Sequence, residues 1–366
     1  MSASNIVVLS AGGTGGHLFP AQALAAVLAG RGREIVVMTD TRFANYATAF
    51  PSATIQTVPS SPFNTAAAPF KIMAGIAVAL AKLLKLRPVA VIGFGGYPSL
   101  PVMLAATLAR LPTAIIEQNA VVGRANRLVM NRVKVVAAAF PIARFAPSDK
   151  SKIVLTGNPL RPEVEALWAA PYQVPQSGGL LQLLVFGGSQ GSRAMSEIVP
   201  AALTRLPHEI KTRLRVVQQC RLEDIETVRE IYRNVDIPAE LQTFFSDLPQ
   251  RMAGAHLVIA RSGAGTVAEL MAIGRPAILV PLPDALDDNQ TPNADILARG
   301  EAGWCVAQTD LTPDVLAQML MQIFADPAGL ARRAASAHAL AMPQAAEKLA
   351  DVVEALVLPS QKMRAA

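Results

Sequence analysis

One transition, from a β-branched strand into a glycine loop, occurs twice in the chain. Ile6-Val7-Val8-Leu9 enters Gly12-Gly13-Thr14-Gly15-Gly16-His17, and a helical pattern follows over 20–29. Leu180-Leu181-Gln182-Leu183-Leu184-Val185-Phe186 enters Gly187-Gly188-Ser189-Gln190-Gly191-Ser192, again with a helical pattern after it. A strand that ends in glycines and opens a helix gathers backbone N–H groups and the positive end of the helix dipole at one point, which suits a phosphate. Each copy calls for a parallel sheet, with the loop at its carboxyl edge.

The intervening pattern agrees. Short apolar runs at 35–38, 89–92, 114–116, 133–137 and 153–155 alternate with longer helical stretches, and runs at 214–218, 257–260 and 277–280 repeat the arrangement. The expected fold is α/β with two Rossmann-like parallel-sheet domains, 1–160 and 161–339. The hinge falls at Gly157-Asn158-Pro159-Leu160-Arg161-Pro162, where two prolines break any helix. Residues 171–179 read as an irregular connector. An Ala-rich helical region over 330–357 follows, and its end, about 340–358, is expected to pack back on the first domain. With 366 residues, 52% of them hydrophobic, the chain can bury two cores.

No run reaches the ~18 apolar residues of a membrane span, and the first apolar run is too short for a signal-peptide core, so a cytosolic protein is expected. Cys220 and Cys305 lie far apart and form neither a ligand cluster nor a disulfide framework. The net charge of +6 conceals an asymmetry: residues 1–160 hold 15 Lys/Arg against 4 Asp/Glu, whereas 161–366 hold 18 against 23. A basic half beside a mildly acidic half suggests that one domain faces a polyanion: nucleic acid, anionic lipid or a phosphorylated substrate. Nucleic acid is disfavoured, since there is no aromatic interleaving and no binding motif.

Neither glycine loop carries the Lys-Ser/Thr of a P-loop or a G-x-G-x-x-G, which argues against an ATPase and leaves a dehydrogenase only as a weak second choice. Asp40, at the end of the second strand, could bind a ribose diol or merely end the strand. A third cluster, Gly93-Phe94-Gly95-Gly96-Tyr97, lies on the same carboxyl edge. In the second half Arg261-Ser262-Gly263-Ala264-Gly265-Thr266-Val267-Ala268-Glu269 follows a strand; its small residues let a ligand approach the helix start, and Glu269 can accept ribose hydroxyls. Asn289 and Gln290, in the polar loop after the next strand, could read sugar hydroxyls.

Together Gly12 to His17, Gly95-Gly96-Tyr97, Glu117-Gln118-Asn119, Gly157-Asn158-Pro159 with Arg161, Gly187 to Gly191 and Arg261-Ser262-Gly263-Ala264 resemble the bacterial peptidoglycan glycosyltransferases. These add N-acetylglucosamine to undecaprenyl-diphosphate-linked N-acetylmuramyl-pentapeptide. The resemblance implies a GT-B fold, with the domains facing across a cleft, the donor held mostly by the second and the acceptor by the first. Carried over by position, donor contacts would be Thr14, Gly15, Gly16, Asn119, Arg161, Ser189, Phe245 (near the uracil), Ala264, Gly265, Thr266, Val267, Ala268, Glu269 and Gln290. Acceptor contacts would be Gly13, Thr14, Gly95, Gly96 and Tyr97. Gln219-Cys220-Arg221 and Asn289-Gln290 depart from the family pattern, which has Gln-Ser-Gly and two glutamines at these places.

The implied chemistry is an inverting displacement of UDP with no cofactor. There is no Asp-x-Asp triplet to chelate a metal, so helix dipoles, loop N–H groups and Arg161 would carry the diphosphate charge. His17 is the candidate base for the acceptor 4-hydroxyl, because imidazole titrates near neutral pH. Glu117 is the reserve base, and Asn119 would help to place the acceptor.

Residues 71–87 read as a helix with Lys71, Lys82 and Lys85 in one sector and Ile72, Met73, Ile76, Leu80 and Leu83 opposite. Pattern alone makes this a core helix with a solvated face. The resemblance places a membrane patch here, with Ile72 and Ile76 at the interface and Lys71, Lys82, Lys85, Arg87 and Arg110 on anionic lipid. The expected location is the cytoplasmic face of the inner membrane, as a peripheral protein, with other cell-wall synthesis proteins as possible partners. Two rival readings are a GT-B transferase for another lipid acceptor and a non-catalytic UDP-sugar sensor.

Overall fold

The computed structural model describes residues 4–12, 15–41, 50–62, 65, 68–168, 170–188 and 191–364, with side chains described as far as 357. The chain divides into two compact units, Met1–Arg161 with Met342–Ala366, and Pro162–Ala341.

The first unit is built on a seven-stranded sheet in the order β3-β2-β1-β4-β5-β6-β7, comprising β1 Ile6–Ser10, β2 Glu34–Thr39, β3 Ala53–Thr57, β4 Ala90–Gly93, β5 Thr113–Glu117, β6 Val135–Ala138 and β7 Ile153–Leu155. Every pairing is parallel; Val8, for example, lies beside Val36 and Val91. Parallel sheets are covered on both faces, which is why these strands are nearly continuous apolar runs. Alternation sends Val7, Leu9, Ile92 and Ile116 to one core with α1 (Gly15–Gly30), and Val8, Val91 and Ile115 to another with α2 (Ala68–Leu86) and α3 (Ser99–Leu108). α4 (Arg124–Val129) follows β5.

α1 starts five residues before the expected position and carries Pro20 inside it, so His17 stands in its first turn. The helical region expected over 330–357 is two helices, α13 (Pro327–Leu340) in the second unit and α14 (Ala345–Arg364) in the first. Pro343 and the left-handed Gln344 (φ 56°) separate them. Leu349, Val353, Leu356 and Val357 of α14 join the core beneath α1. Arg31 pairs with Glu347 and Asp351, and Arg33 Nε donates to Glu354 Oε1 at 2.9 Å, fixing the two helices side by side.

The second unit holds a six-stranded parallel sheet, order β10-β9-β8-β11-β12-β13. Its strands are β8 Leu181–Phe186, β9 Leu214–Gln219, β10 Ala239–Gln242, β11 Leu257–Ala260, β12 Ala277–Leu279 and β13 Gly303–Cys305. The helices around it are α5 Pro162–Glu165, α6 Arg193–Thr204, α7 His208–Lys211, α8 Ile225–Arg233, α9 Leu248–Gly254, α10 Ala264–Ile273, α11 Gln290–Arg299 and α12 Pro313–Ala325, with α13 last. Arg275 anchors this unit from within. It is almost fully buried, and its guanidinium donates to the carbonyls of Ala253, Ile273, Gly274 and Pro171, tying the ends of α9 and α10 to the 171–179 connector.

Candidate active site

In the first unit the loops after β1, β2, β4 and β5 meet at the carboxyl edge of the sheet. The β1 and β4 loops approach at backbone contact: a Cβ on Gly96 would stand 2.9 Å from the Gly12 carbonyl oxygen. Gly95 (φ 81°) and Gly96 (φ 72°) are both left-handed, a conformation that costs side-chain-bearing residues energy. The turn they make lies against the His17 imidazole, since Cβ atoms at these two positions would fall 3.4 and 3.3 Å from ring carbons. Tyr97 completes the turn by donating its hydroxyl to the buried Asp40 at 3.0 Å. Asp40 thus braces the third glycine cluster.

His17 is half-buried, with Nδ1 3.2 Å from Gln118 Oε1. Burial lowers its pKa below the ordinary 6.5, opposed by the charge of Glu117 and by contacts with the Gln118 side chain and the Phe94 backbone. The ring is therefore neutral near pH 7 and able to accept a proton. Glu117 sits differently. Its Oε1 accepts from the Asn119 backbone (3.0 Å) and side chain (3.4 Å), and its Oε2 accepts from the Gly123 backbone (2.8 Å) and Asn126 Nδ2 (2.9 Å). A carboxylate so engaged organises the 117–126 loop and holds Asn119 in place. Asn126 went unremarked in the sequence; it is buried and also donates to Ile116 O at 3.1 Å. Arg161, at the end of this unit, lies over the Phe19 ring at 5.0 Å. Gly15 and Gly16 open α1. Gly13 and Thr14 lie outside the described residues.

In the second unit the carboxyl edge is formed by the loops after β8, β9, β11 and β12. Gly263 caps α10 in an extended conformation (φ −60°, ψ 147°) that any residue can adopt, and a Cβ on it or on Gly265 would meet open space. The start of α10 is thus accessible, with Ala264, Gly265, Thr266, Val267 and Ala268 in its first turns and Glu269 beyond them. Arg261 is buried and donates to the carbonyls of Val280 and Pro281 and to Ser192 Oγ, joining three of these loops. Ser262 Oγ donates to Gln290 O at 2.9 Å, Asn293 Nδ2 donates to Ser262 O at 3.2 Å, and Gln290 Oε1 accepts from Leu282 N at 3.1 Å. Ser189 and Gln190 lie outside the described residues.

Phe245 is buried under Arg251, whose guanidinium lies 4.5 Å from the ring centre. At the departure from the family pattern, Gln219 accepts from Gly187 N and donates to Thr243 O, linking the β8 and β10 loops. Cys220 is wholly buried, its thiol pushed up to about 11 by burial, and Arg221 is paired with Glu223 and Asp224. Among the described residues no three His, Cys, Asp or Glu side chains cluster to hold a metal ion.

On α2, Lys71 and Lys85 are exposed, as are Phe70 (80%), Met73 (67%) and Leu84 (61%). Ile72, Ile76 and Leu80 pack against the core with Leu83, so the exposed apolar residues are not the isoleucines but Phe70, Met73 and Leu84. The α2 backbone passes close to its neighbours at Gly75, where a Cβ would collide with the Pro59 carbonyl. No helix among the described residues is long and apolar enough to cross a membrane.

Residues 7–138 match the family model of the Glycosyltransferase family 28 N-terminal domain, and residues 182–353 that of its C-terminal domain. A relative from Rhodopseudomonas palustris, named UDP-N-acetylglucosamine--N-acetylmuramyl-(pentapeptide) pyrophosphoryl-undecaprenol N-acetylglucosamine transferase, is 48% identical over 96% of this chain and 98% of its own. The crystal structure of Acinetobacter baumannii MurG superposes with a TM-score of 0.80 at 32% identity, covering 95% of this chain and 98% of that one. The calicheamicin glycosyltransferase CalG4 shares the fold, with a TM-score of 0.66 at 16% identity over 97% of this chain and 98% of that one. Paired parallel sheets, glycine loops and full-length similarity lead to one assignment: the chain is a GT-B hexosyltransferase that belongs to glycosyltransferase family 28, among the MurG N-acetylglucosamine transferases.

Proposed function

We propose that this chain transfers N-acetylglucosamine from UDP-N-acetylglucosamine to the 4-hydroxyl of N-acetylmuramic acid in an undecaprenyl-diphosphate-linked muramyl-pentapeptide. The observation that carries this reading is the neutral His17 imidazole seated on the Gly95-Gly96 turn and hydrogen-bonded to Gln118. It supplies a base in the unit to which the acceptor is assigned.

His17 takes the proton of the 4-hydroxyl as that oxygen attacks the anomeric carbon; the bond to UDP breaks on the opposite side, and the configuration inverts. Glu117 holds the loop that presents Asn119 to the acceptor, and the family resemblance assigns Gly13, Thr14, Gly95, Gly96 and Tyr97 to the same ligand. In the second unit the open start of α10 receives the donor diphosphate, Glu269 the ribose, Gln290 the sugar and the backbone at Phe245 the uracil. The family resemblance further assigns Thr14, Gly15, Gly16, Asn119, Arg161 and Ser189 to the donor, in a reaction that invokes no metal or cofactor.

The exposed Phe70, Met73 and Leu84, beside Lys71 and Lys85, favour peripheral attachment to an anionic membrane at its cytoplasmic face, where such an acceptor resides. The test is to incubate purified protein with labelled UDP-N-acetylglucosamine, the lipid-linked acceptor and a chelator, and to count label in the lipid phase. Label in the lipid phase is expected; tight UDP binding without transfer would overturn the reading.

A further inference from the structure

We propose that Gln118 fixes the tautomer of His17, placing the proton on Nδ1 and leaving the Nε2 lone pair to accept the acceptor's proton. This rests on the reading of His17 as the base and names the residue that sets its chemistry.

Gln118 is buried and has only one satisfactory orientation. Its Nε2 donates to the Phe94 carbonyl at 3.1 Å, so its Oε1 is the atom that faces His17 Nδ1 at 3.2 Å. Turning the amide over would set its oxygen against the Phe94 carbonyl, acceptor against acceptor, in a buried place where an unmade hydrogen bond is costly. An oxygen at Nδ1 requires the proton on Nδ1 while the ring is neutral, and the other nitrogen then carries the lone pair.

The anchor is itself well founded. Phe94 is fully buried, and its N–H donates to Ser10 O at 2.8 Å, so the carbonyl that orients Gln118 belongs to the junction of β1 and β4. The residue type matters. An amide at this place sets the tautomer without adding charge, whereas a carboxylate would also favour the imidazolium. The charged group acting on the ring is Glu117, whose oxygens are occupied by the 117–126 loop. Gln118 is thus a positioning residue, acting through His17.

The experiment is ¹⁵N NMR of the full-length protein labelled at histidine, with the His17 signals assigned from a His17→Ala sample, beside steady-state transfer. In the wild type Nδ1 should resonate as an N–H nitrogen and Nε2 as a bare one. Gln118→Met should move proton occupancy toward Nε2 and lower kcat about tenfold or more, with KM for UDP-N-acetylglucosamine within about twofold. A wild-type ring protonated on Nε2, or a Gln118→Met ring with unchanged tautomer in a folded protein, would overturn the assignment. A tautomer that switches in Gln118→Met while kcat stays constant would instead sink the reading of His17 as the base.

Discussion

Asn126 Nδ2 donates to Glu117 Oε2 at 2.9 Å, so a side chain from the first turn of α4 holds the carboxylate that ends β5. The same amide reaches Ile116 O, and both groups are buried. Asn126→Ala leaves the buried Glu117 one hydrogen bond short, a loss of ~2 kcal/mol. Denaturant unfolding should show that loss, and transfer should fall with it because Asn119 hangs on the same carboxylate. Asn126→Asp should be worse, since it sets two carboxylates in contact.

On the proposed mechanism the acid limb of kcat/KM is set by His17. Burial lowers its pKa, so the protonated, inactive form accumulates only below the ordinary 6.5. The rate should therefore hold as pH falls through neutrality and decline at a midpoint under 6.5. A pH profile with His17→Gln alongside checks this, and a midpoint above 7 would count against the assignment.

Gly263 separates a backbone requirement from a ligand requirement. Its dihedrals suit any residue and the space at its Cβ is open, so Gly263→Val should cost only the poorer N-cap, about 1 kcal/mol or less. The added methyl groups would stand at the start of α10, and KM for UDP-N-acetylglucosamine should rise about tenfold or more. Gly187 is the contrasting case, because a Cβ there would collide with Ser192 and the fold itself should suffer.

Arg275→Lys tests the anchor of the second unit. Lysine keeps the charge but cannot reach the carbonyls of Ala253, Ile273, Gly274 and Pro171 together, so buried acceptors lose their donors. Unfolding should be easier by about 3 kcal/mol.

Replacing Phe70, Met73 and Leu84 with serine should weaken binding to anionic vesicles about tenfold or more while sparing turnover of a detergent-soluble acceptor. Added salt should weaken the wild type as well.

The central strands were plain in the sequence because strands covered on both faces are apolar throughout. β3, β10 and β13 escaped notice; Ala-Thr-Ile-Gln-Thr, Ala-Glu-Leu-Gln and Gly-Trp-Cys are short edge strands with one neighbour and no apolar run. The glycine loops and His17 were legible because strand-to-loop punctuation marks the carboxyl edge. Asn126 and Gln118 were not, since what they do depends on a hydrogen-bond partner across the fold rather than on spacing. The face of α2 was half legible: periodicity found the lysine sector but could not say which neighbouring apolar residues meet the core, and Met73 is outside it while Ile72 and Ile76 pack on it.

The most direct test of the account compares wild type with His17→Gln in a single-turnover measurement of labelled N-acetylglucosamine reaching the muramyl acceptor, with UDP-N-acetylglucosamine binding determined on the same samples. Loss of the base should slow transfer about 10²–10⁴-fold with binding unchanged. Transfer by His17→Gln at the wild-type rate would contradict it.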